Sequence, residues 1–322
     1  KAVLQGPKAP AVQAKQVALD AQITYLAGGA ATNAPVKLRT VLQDKSVSFA
    51  DYPEYSFSNG DVKEGLVKQG TGYDDDEGEW QDEGNGGRDS AGAGATAART
   101  QSLNLDKAGG ARIVIDQLPQ LSTPRDLVAE MAFQDANGET ASVATRVPLW
   151  PSNYVIGIKP DAWALSKDAF KFTVAVLGTN GKPVANAPVA VDFFQRNSYS
   201  HRRRLIGGFY AYENSSEVVK LGPACSGKTD GKGLLMCDVK APASGNLVLR
   251  ARTQDGAGNA AVANRETWVA GSGDWWFNAS DNDRIDVLPE KKRYEPGQEA
   301  SLQVRMPFRS GTALITVERE GI

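Results

Sequence analysis

The tetrapeptides Asn33-Ala34-Pro35-Val36 and Asn186-Ala187-Pro188-Val189 begin two similar blocks of sequence. Two Asp-x-x-Gly segments follow each of them in the same order: Asp106-Lys107-Ala108-Gly109 and Asp135-Ala136-Asn137-Gly138, then Asp230-Gly231-Lys232-Gly233 and Asp255-Gly256-Ala257-Gly258. An Asp three residues before a Gly suits a tight turn, because the carboxylate accepts from backbone N–H groups while Gly tolerates positive φ. The order therefore predicts tandem copies of one small β-rich unit.

The first copy is longer than the second. Its Asn-Ala-Pro-Val segment lies 153 residues before the next one (186 − 33), whereas the first turns of the two copies lie 124 residues apart (230 − 106). An insertion explains the difference, and residues 70–99 have a biased composition: an acidic run with Asp74, Asp75, Asp76, Glu77 and Glu79, then a tail rich in Gly, Ala and Ser. This composition buries too little apolar area to fold alone, so we expect a long loop that a protease could cut.

Alternation of apolar and polar side chains at period two dominates the rest of the chain. The predicted strands are 18–25, 36–41, 111–115 and 127–133 in the first copy, and 170–176, 189–193, 234–239 and 247–252 in the second. No stretch of ten or more residues has convincing helical periodicity. Short strands separated by Gly, Pro, Asn and Asp favour an all-β protein made of antiparallel sandwiches of the immunoglobulin or fibronectin type.

Two turn-rich segments mark the predicted domain boundaries. Pro148-Leu149-Trp150-Pro151 ends the first domain, because two prolines so close together interrupt a sheet ladder. Gly271-Ser272-Gly273-Asp274 ends the second. We predict one domain at 1–149, which carries the insertion at 70–99, a second at 150–272, and the first strands of a third, incomplete domain at 273–322.

The charge and hydropathy of the chain limit the kinds of partner and the cellular locations that we expect for it. The formal net charge of −2 is too nearly balanced to predict nucleic acid or an anionic membrane as a partner. No apolar run reaches the roughly 18 residues that span a bilayer, so we expect no membrane span in this chain. Since the chain lacks an initial Met, we expect an internal piece of a longer precursor. Residues 3–7 fit either a tag remnant or a native linker.

The two cysteines, Cys225 and Cys237, flank a Lys-Thr-Asp-Gly-Lys-Gly segment that we interpret as a hairpin turn. A disulfide across that hairpin is geometrically plausible, and two independent buried thiols are the alternative. A disulfide would imply an exported protein.

A single histidine, His201, precedes Arg202, Arg203 and Arg204. Three adjacent arginines disfavour the imidazolium that a general base must form, so we predict no catalytic residue here. The arginines instead form either an exposed basic loop or a docking site for an acidic partner. A further option is that the acidic insertion of the same chain folds back on the arginines.

Other sequence features are consistent with binding but do not define a site. Asp74 and Asp76 could provide oxygens for a loose calcium site, but Gly78 stands where a third donor should be, so a solvated loop is the plainer interpretation. One His and two Cys are too few ligands for zinc, and we expect neither metal nor cofactor. Trp275 and Trp276 form either an exposed recognition patch for a partner or a wedge between consecutive β domains.

The chain resembles the bacterial α2-macroglobulins. The resemblance rests on residues 23–29 (ITYLAGG) with Asn33-Ala34-Pro35-Val36, on 148–151 (PLWP), on 226–230 (SGKTD), and most specifically on 283–297 (DRIDVLPEKKRYEPG) and 313–321 (ALITVEREG). It implies a row of macroglobulin-like domains, each a seven-stranded antiparallel β sandwich, in a periplasmic and often lipid-anchored protein. It also implies a broad-spectrum protease trap that serves envelope defence beside a peptidoglycan-synthesising partner, and no enzyme activity.

In one respect the chain departs from that family. The family's thioester motif is Cys-x-Glu-Gln, but Cys225 is followed by Ser-Gly-Lys and Cys237 by Asp-Val-Lys, so neither can form it. The resemblance therefore implies that this chain is a structural fragment of a protease trap. A non-catalytic immunoglobulin-like module of an adhesin or envelope complex is the alternative, and no pair of carboxylates is singled out for a carbohydrate-active enzyme.

Overall fold

The computed structural model describes residues 1–25, 28–69, 98–135, 137–162, 164–165, 167–204, 210–269, 286–289, 294–300, 302–305, and the single residues 312, 314 and 316. All regular secondary structure within these ranges is β strand, which confirms the predicted all-β class. The strands are β1 (Ala2–Gln5), β2 (Ala11–Val12), β3 (Val17–Ile23), β4 (Pro35–Asp44), β5 (Ser56–Phe57), β6 (Gly65–Gln69), β7 (Arg99–Asn104), β8 (Gly110–Ile115), β9 (Arg125–Gln134), β10 (Thr140–Trp150), β11 (Tyr154–Pro160), β12 (Ala164–Leu165), β13 (Phe170–Gly178), β14 (Pro188–Arg204), β15 (Tyr210–Lys228), β16 (Leu234–Val239), β17 (Gly245–Gln254), β18 (Ala260–Val269), β19 (Asp286–Pro289) and β20 (Leu302–Arg305).

The first sandwich consists of a three-stranded sheet, β1-β3-β8, and a five-stranded sheet, β2-β10-β9-β4-β7. Its strands alternate between buried and exposed side chains, as in β3, because one face of each sheet packs on the other sheet. Leu19 of one sheet and Leu38, Leu127 and Met131 of the other are fully buried in the shared core. Residues 3–5, for which the sequence left a tag remnant or a linker open, belong to edge strand β1.

The second sandwich repeats this topology strand by strand. It pairs β11-β13-β16 with β12-β18-β17-β14-β15, so that β11, β12 and β13 take the places of β1, β2 and β3. Among the described residues, each sandwich therefore has seven strands paired antiparallel, as the resemblance implied. Each also has one short strand, β2 or β12, that runs parallel to its neighbour. Two-residue strands have no alternation, so the sequence pattern did not reveal them.

A segment from the first sandwich contributes to the second. After β4, residues 45–69, called here the crossing segment, add β5 to the edge of β11 and β6 to the edge of β15. The chain then returns, and β7 pairs with β4 in the first sandwich. The predicted first domain, 1–149, includes the crossing segment, because the sequence does not show which sheet this segment pairs with. The division into three macroglobulin-like domains stays a prediction.

The predicted turns are confirmed in all four places. In each, one carboxylate oxygen, Oδ1, accepts from the backbone N–H groups two and four residues later, at 2.8–3.0 Å, as for Asp106 with Ala108 and Gly110. The Gly three residues after the Asp has positive φ, 74° at Gly109 and 73° at Gly233. Asn33 and Asn186 also match, with φ of 53° and 59°. The sequence repeat is thus a repeat of backbone geometry.

Beyond the second sandwich, β19 pairs antiparallel with β20. Both strands lie within 273–322, where the sequence predicts the first strands of a third domain. Among the described residues there is no helix long and apolar enough to cross a membrane.

Candidate functional site

Several residues singled out from the sequence lie outside the described ranges. They are the acidic residues Asp74, Asp75, Asp76, Glu77 and Glu79 of the insertion, and the aromatic residues Trp275 and Trp276. The backbone of Arg202, Arg203 and Arg204 is described: it ends β14, opposite residues 210–212 of β15.

Cys225 and Cys237 form a disulfide, as predicted, with their Cα atoms 6.3 Å apart. The predicted hairpin between them is wrong, because β15 pairs with β14 while β16 pairs with β13 in the opposite sheet. The turn at Asp230 carries the chain from one sheet to the other. The disulfide consequently ties together the two sheets of the second sandwich, and Cys237 is buried in its core.

The linker between the sandwiches, residues 150–153, is hydrogen-bonded to both of them. On the first-sandwich side, the Gln13 side-chain amide donates to the carbonyl oxygens of Pro151, at 2.9 Å, and of Leu121, at 2.8 Å. On the second, the Ser152 hydroxyl donates to the Asn259 carbonyl oxygen at 3.1 Å. A linker held at both ends restricts the hinge motion expected between independent domains.

Asp255 holds the linker directly. Its Oδ1 makes the turn already described, while Oδ2 accepts from the backbone N–H of Asn153 at 2.9 Å and from the side-chain amides of Asn153 and Asn259 at 3.1 Å each. Burial raises the pKa of Asp255, but these donors outweigh burial and hold the pKa well below the ordinary aspartate value. The carboxylate is therefore charged at neutral pH and fully used.

Four aromatic rings of the crossing segment, Phe49, Tyr52, Tyr55 and Phe57, form an aromatic anchor against the second sandwich. Phe57 has its ring centroid 5.0 Å from that of Phe49 and 5.7 Å from that of Tyr55. The anchor packs with Trp150 of the linker and with buried side chains of β11 and β13. Phe57 is 4% exposed, so burial of this cluster contributes to the attachment of one sandwich to the other.

Polar contacts continue the attachment past the anchor. The Asn59 side chain bonds the backbone of Asn264 twice: its amide donates to the carbonyl oxygen at 3.0 Å, and its Oδ1 accepts from the N–H at 2.8 Å. Asn264 in turn donates its side-chain amide to the Gly60 carbonyl oxygen at 2.9 Å. Side-chain amides that copy backbone pairing fix the crossing segment on β18.

A network of charged side chains lies on the face of the six-stranded sheet that Asp61 of the crossing segment contacts. Asp192 of β14 accepts from Arg250 Nη2 at 2.8 Å and from Arg252 Nη2 at 3.1 Å, and its Oδ1 lies 3.5 Å from Lys220 Nζ. Burial raises the pKa of Asp192, but the Arg250 hydrogen bond and the surrounding cations lower it further than burial raises it. Arg250 also donates to Asp61 of the crossing segment at 3.1 Å and lies 4.6 Å from the Phe194 ring centroid.

The β14–β15 pair extends past the rest of its sheet. Pairing between β14 and β17 stops at Arg196, whereas β14 and β15 continue together to Arg204 and Tyr210. We call residues 197–204 and 210–217 the ribbon. On its β15 side it is flanked by β6, which pairs Gly65–Gln69 with residues 214–218. The sequence placed the arginines in a loop; their backbone is strand instead.

The geometry favours mechanical roles over chemistry. Within the described ranges, no three His, Cys, Asp or Glu side chains are grouped as metal ligands would be. The two carboxylates with a lowered pKa, Asp192 and Asp255, are both engaged in ion pairs or hydrogen bonds. We call the linker with Asp255, the aromatic anchor and the Asn59–Asn264 pair the junction between the sandwiches. The sequence did not predict it, and its only signal was Asn259, directly after the last Asp-x-x-Gly turn.

Comparison with known proteins supports the resemblance. The α2-macroglobulin homolog of Nostoc sp. is 22% identical over 207 residues, which is 64% of this chain and 11% of that protein. No family model matches the chain.

Three solved structures have the same fold over 95% of this chain. They are native Escherichia coli α2-macroglobulin (TM-score 0.58, 14% identity), the Salmonella protein reacted with methylamine (0.54, 15%), and the E. coli protein activated by porcine elastase (0.53, 15%). This chain covers 18%, 18% and 24% of those chains. The sandwiches are thus macroglobulin-like domains, and the chain spans a small part of the length of the proteins it matches.

Proposed function

We propose that this chain is a non-catalytic structural part of a longer, periplasmic α2-macroglobulin-like protease inhibitor, in which its two sandwiches act as one rigid support. The observation that carries the proposal is the junction: Asp255, the aromatic anchor and the Asn59–Asn264 pair fasten the sandwiches to each other at three separate places. A trap that rearranges after cleavage needs bodies that keep their shape while others move.

The disulfide supports a periplasmic location. It also supports the view that Cys225 and Cys237 do not form a thioester that captures proteases. Structural disulfides persist in the periplasm and not in a reducing cytosol. Because Cys225 and Cys237 bond each other, and neither is followed by the thioester motif, any thioester would come from another part of the parent protein. Lipid anchoring of the parent is likewise proposed from the family alone.

Proteases are the proposed partners of the parent, and the insertion at 70–99 is a proposed site of cleavage. The two strands that flank it pair with different sandwiches, β6 with β15 and β7 with β4. A cut between them would leave the linker at 150–153 and the rest of the crossing segment intact. The two sandwiches should therefore stay joined after such a cut.

Mass spectrometry of the full-length parent tests the proposal. The parent is exposed briefly to elastase and, separately, to methylamine, and its peptides are then mapped. Cleavage at a few discrete sites that spares residues 99–269 supports a protease trap with this chain as its support. Rapid digestion of both sandwiches would contradict it. A methylamine adduct elsewhere in the parent would identify a thioester. If no adduct forms, the parent is a relative without a thioester.

The ribbon favours a second function, that of a binding module for an envelope partner such as a peptidoglycan synthase. It extends beyond its sheet and carries Arg202, Arg203 and Arg204 at its end, as a docking element would. Reversing the three charges to Glu and measuring co-purification of envelope proteins tests this role. Unchanged co-purification would leave the rigid support as the function of the chain.

A further inference from the structure

A small apolar cluster lies on the outward face of the six-stranded sheet. Phe194, Val218 and Val248 are at most 5% exposed and are grouped apart from the main core of the second sandwich. Side chains alternate along β17, so that Val248 points away from the core to which Leu247 and Leu249 contribute. The outward face of a sandwich normally carries polar side chains, and this cluster needs a cover.

The crossing segment provides that cover. Val62 packs on the cluster, and Asp61 bonds Arg250, which itself lies over the Phe194 ring. Three residues later the chain pairs with β15 as β6. We call residues 61–69 the strap.

The strap is held far more weakly than the aromatic anchor that precedes it. From 61 to 66, only Val62 is partly buried, and Leu66 is 60% exposed. The Asp61 side chain is 53% exposed, and β6 is a five-residue strand at the edge of the sheet. An ion pair whose carboxylate is half-exposed and a short edge strand contribute less than a cluster of aromatic rings that includes the buried Phe57. Local opening should detach the strap and leave the anchor in place.

We propose that the face beneath the strap is a binding surface for an extended peptide in which an acidic residue is followed directly by a β-branched apolar residue. When Asp61 leaves, Asp192 is the one carboxylate that the described residues place against Arg250, Arg252 and Lys220, so this surface has an excess of positive charge. The cluster beside it accepts a small apolar side chain. The freed edge of β15 accepts a strand a few residues further on.

This surface goes beyond the proposed support function. Strap detachment and peptide binding are properties of the second sandwich, whether or not the parent traps proteases. The tests below therefore fail or succeed independently of the cleavage experiment on the parent.

Hydrogen exchange of the unmodified chain, followed by mass spectrometry, tests detachment. Amides of Gly65–Gln69 should exchange at least about 100-fold faster than the amides that pair β14 with β17, because the strap opens without global unfolding. Exchange at the same slow rate in both places would overturn the proposal. The anchor segment at 57–58 should exchange slowly, which separates strap opening from loss of the whole crossing segment.

Binding of a synthetic peptide tests the surface. A fluorescent peptide with the sequence of residues 59–69 is titrated into the wild-type chain and into Val62→Ala, in which the internal strap competes less well. We expect at least about tenfold tighter binding to Val62→Ala, since a competing state lowers apparent affinity by the fraction it occupies. Lys63→Ala, a change at an exposed neighbouring position, should bind like wild type.

A second peptide provides the specificity control. The same sequence with Asp61→Asn and Val62→Ala should lose most of its binding to the Val62→Ala chain. Equal binding of both peptides, or no binding of the first up to about millimolar concentration, would contradict the proposed surface. Unchanged exchange of the β14–β17 amides in Val62→Ala shows that the variant is folded in either case.

Discussion

Asp255 differs from the other three turn aspartates in the use of its second carboxylate oxygen. All four make the same turn through Oδ1, but only for Asp255 does the structure describe donors to Oδ2, and two of them come from the linker residue Asn153. The sequence predicted the turn because its geometry is local. It did not predict the linker contact, because Asn153 lies 102 residues away and is placed by the packing of two sandwiches.

The substitution Asp255→Asn should destabilise the chain more than Asp230→Asn. At either position, the carbonyl oxygen of the new Asn can still accept the hydrogen bonds of the turn. At 255 the amide nitrogen then points at the three N–H donors that Oδ2 accepts from in the wild type, or the oxygen rotates toward them and the turn loses its acceptor. We expect a loss of about 2–4 kcal/mol for Asp255→Asn and under about 1 kcal/mol for Asp230→Asn. Urea unfolding measures both. Equal losses would show that the linker contact contributes nothing.

The same carboxylate gives a pH dependence with a definite sign. The pKa of Asp255 is lowered in the folded chain, so the unfolded chain binds the proton first as pH falls. Its stabilisation is complete above about pH 5 and declines below about pH 4, where the unfolded carboxyl titrates. The difference in unfolding free energy between wild type and Asp255→Asn should therefore be constant from pH 5 to 8 and shrink toward pH 3. A difference that grows as pH falls would contradict this assignment.

At the scale of elements, the strands with period-two alternation were predictable and the crossing strands were not. The strands from 36 to 41 and from 111 to 115 lie within β4 and β8, because burial of one face demands alternation. The crossing segment has aromatic residues without alternation, since it packs on sheet edges and on the linker. Its partner sheet could not be inferred from neighbouring sequence.

The aromatic anchor depends on a glycine in the strand next to it. A Cβ at Gly157 of β11 would lie 2.5 Å from the Phe57 ring, so Gly157→Ala must displace the ring. We expect a loss of about 1–3 kcal/mol, the usual cost of overpacking. Gly231→Ala is the matched control, because a Cβ there meets no atom within 4 Å. Near-ultraviolet circular dichroism and urea unfolding compare the two; similar behaviour would mean that Phe57 is not fixed against β11.

The disulfide should stabilise the second sandwich by joining its sheets. It closes a loop of 12 residues in sequence separation, for which the unfolded-state model gives about 3 kcal/mol. The Cys225→Ala/Cys237→Ala variant should lose that amount in urea unfolding. Wild type in reductant should lose it too, while the double variant should not respond to reductant. No loss in the variant would show that the inter-sheet link carries no stability.

At the scale of the whole molecule, the repeated sequence became a repeated topology, and the comparisons confirmed the resemblance to the bacterial α2-macroglobulins. How the sandwiches join was outside the reach of the sequence. The residues that join them, Gln13, Asn59, Asn153 and Asp255, are polar side chains on loops and strand ends. Such residues resemble solvated surface until a partner surface is placed opposite them.

The central claim is that the two sandwiches form one rigid body. Single-molecule energy transfer tests it most directly, with dyes on exposed Lys37 of the first sandwich and Lys240 of the second, both replaced by a ketone-bearing residue. We predict one narrow distance distribution for the wild-type chain and a broad one when Phe57→Ala and Asp255→Asn are combined. A broad distribution in the wild-type chain would contradict the claim.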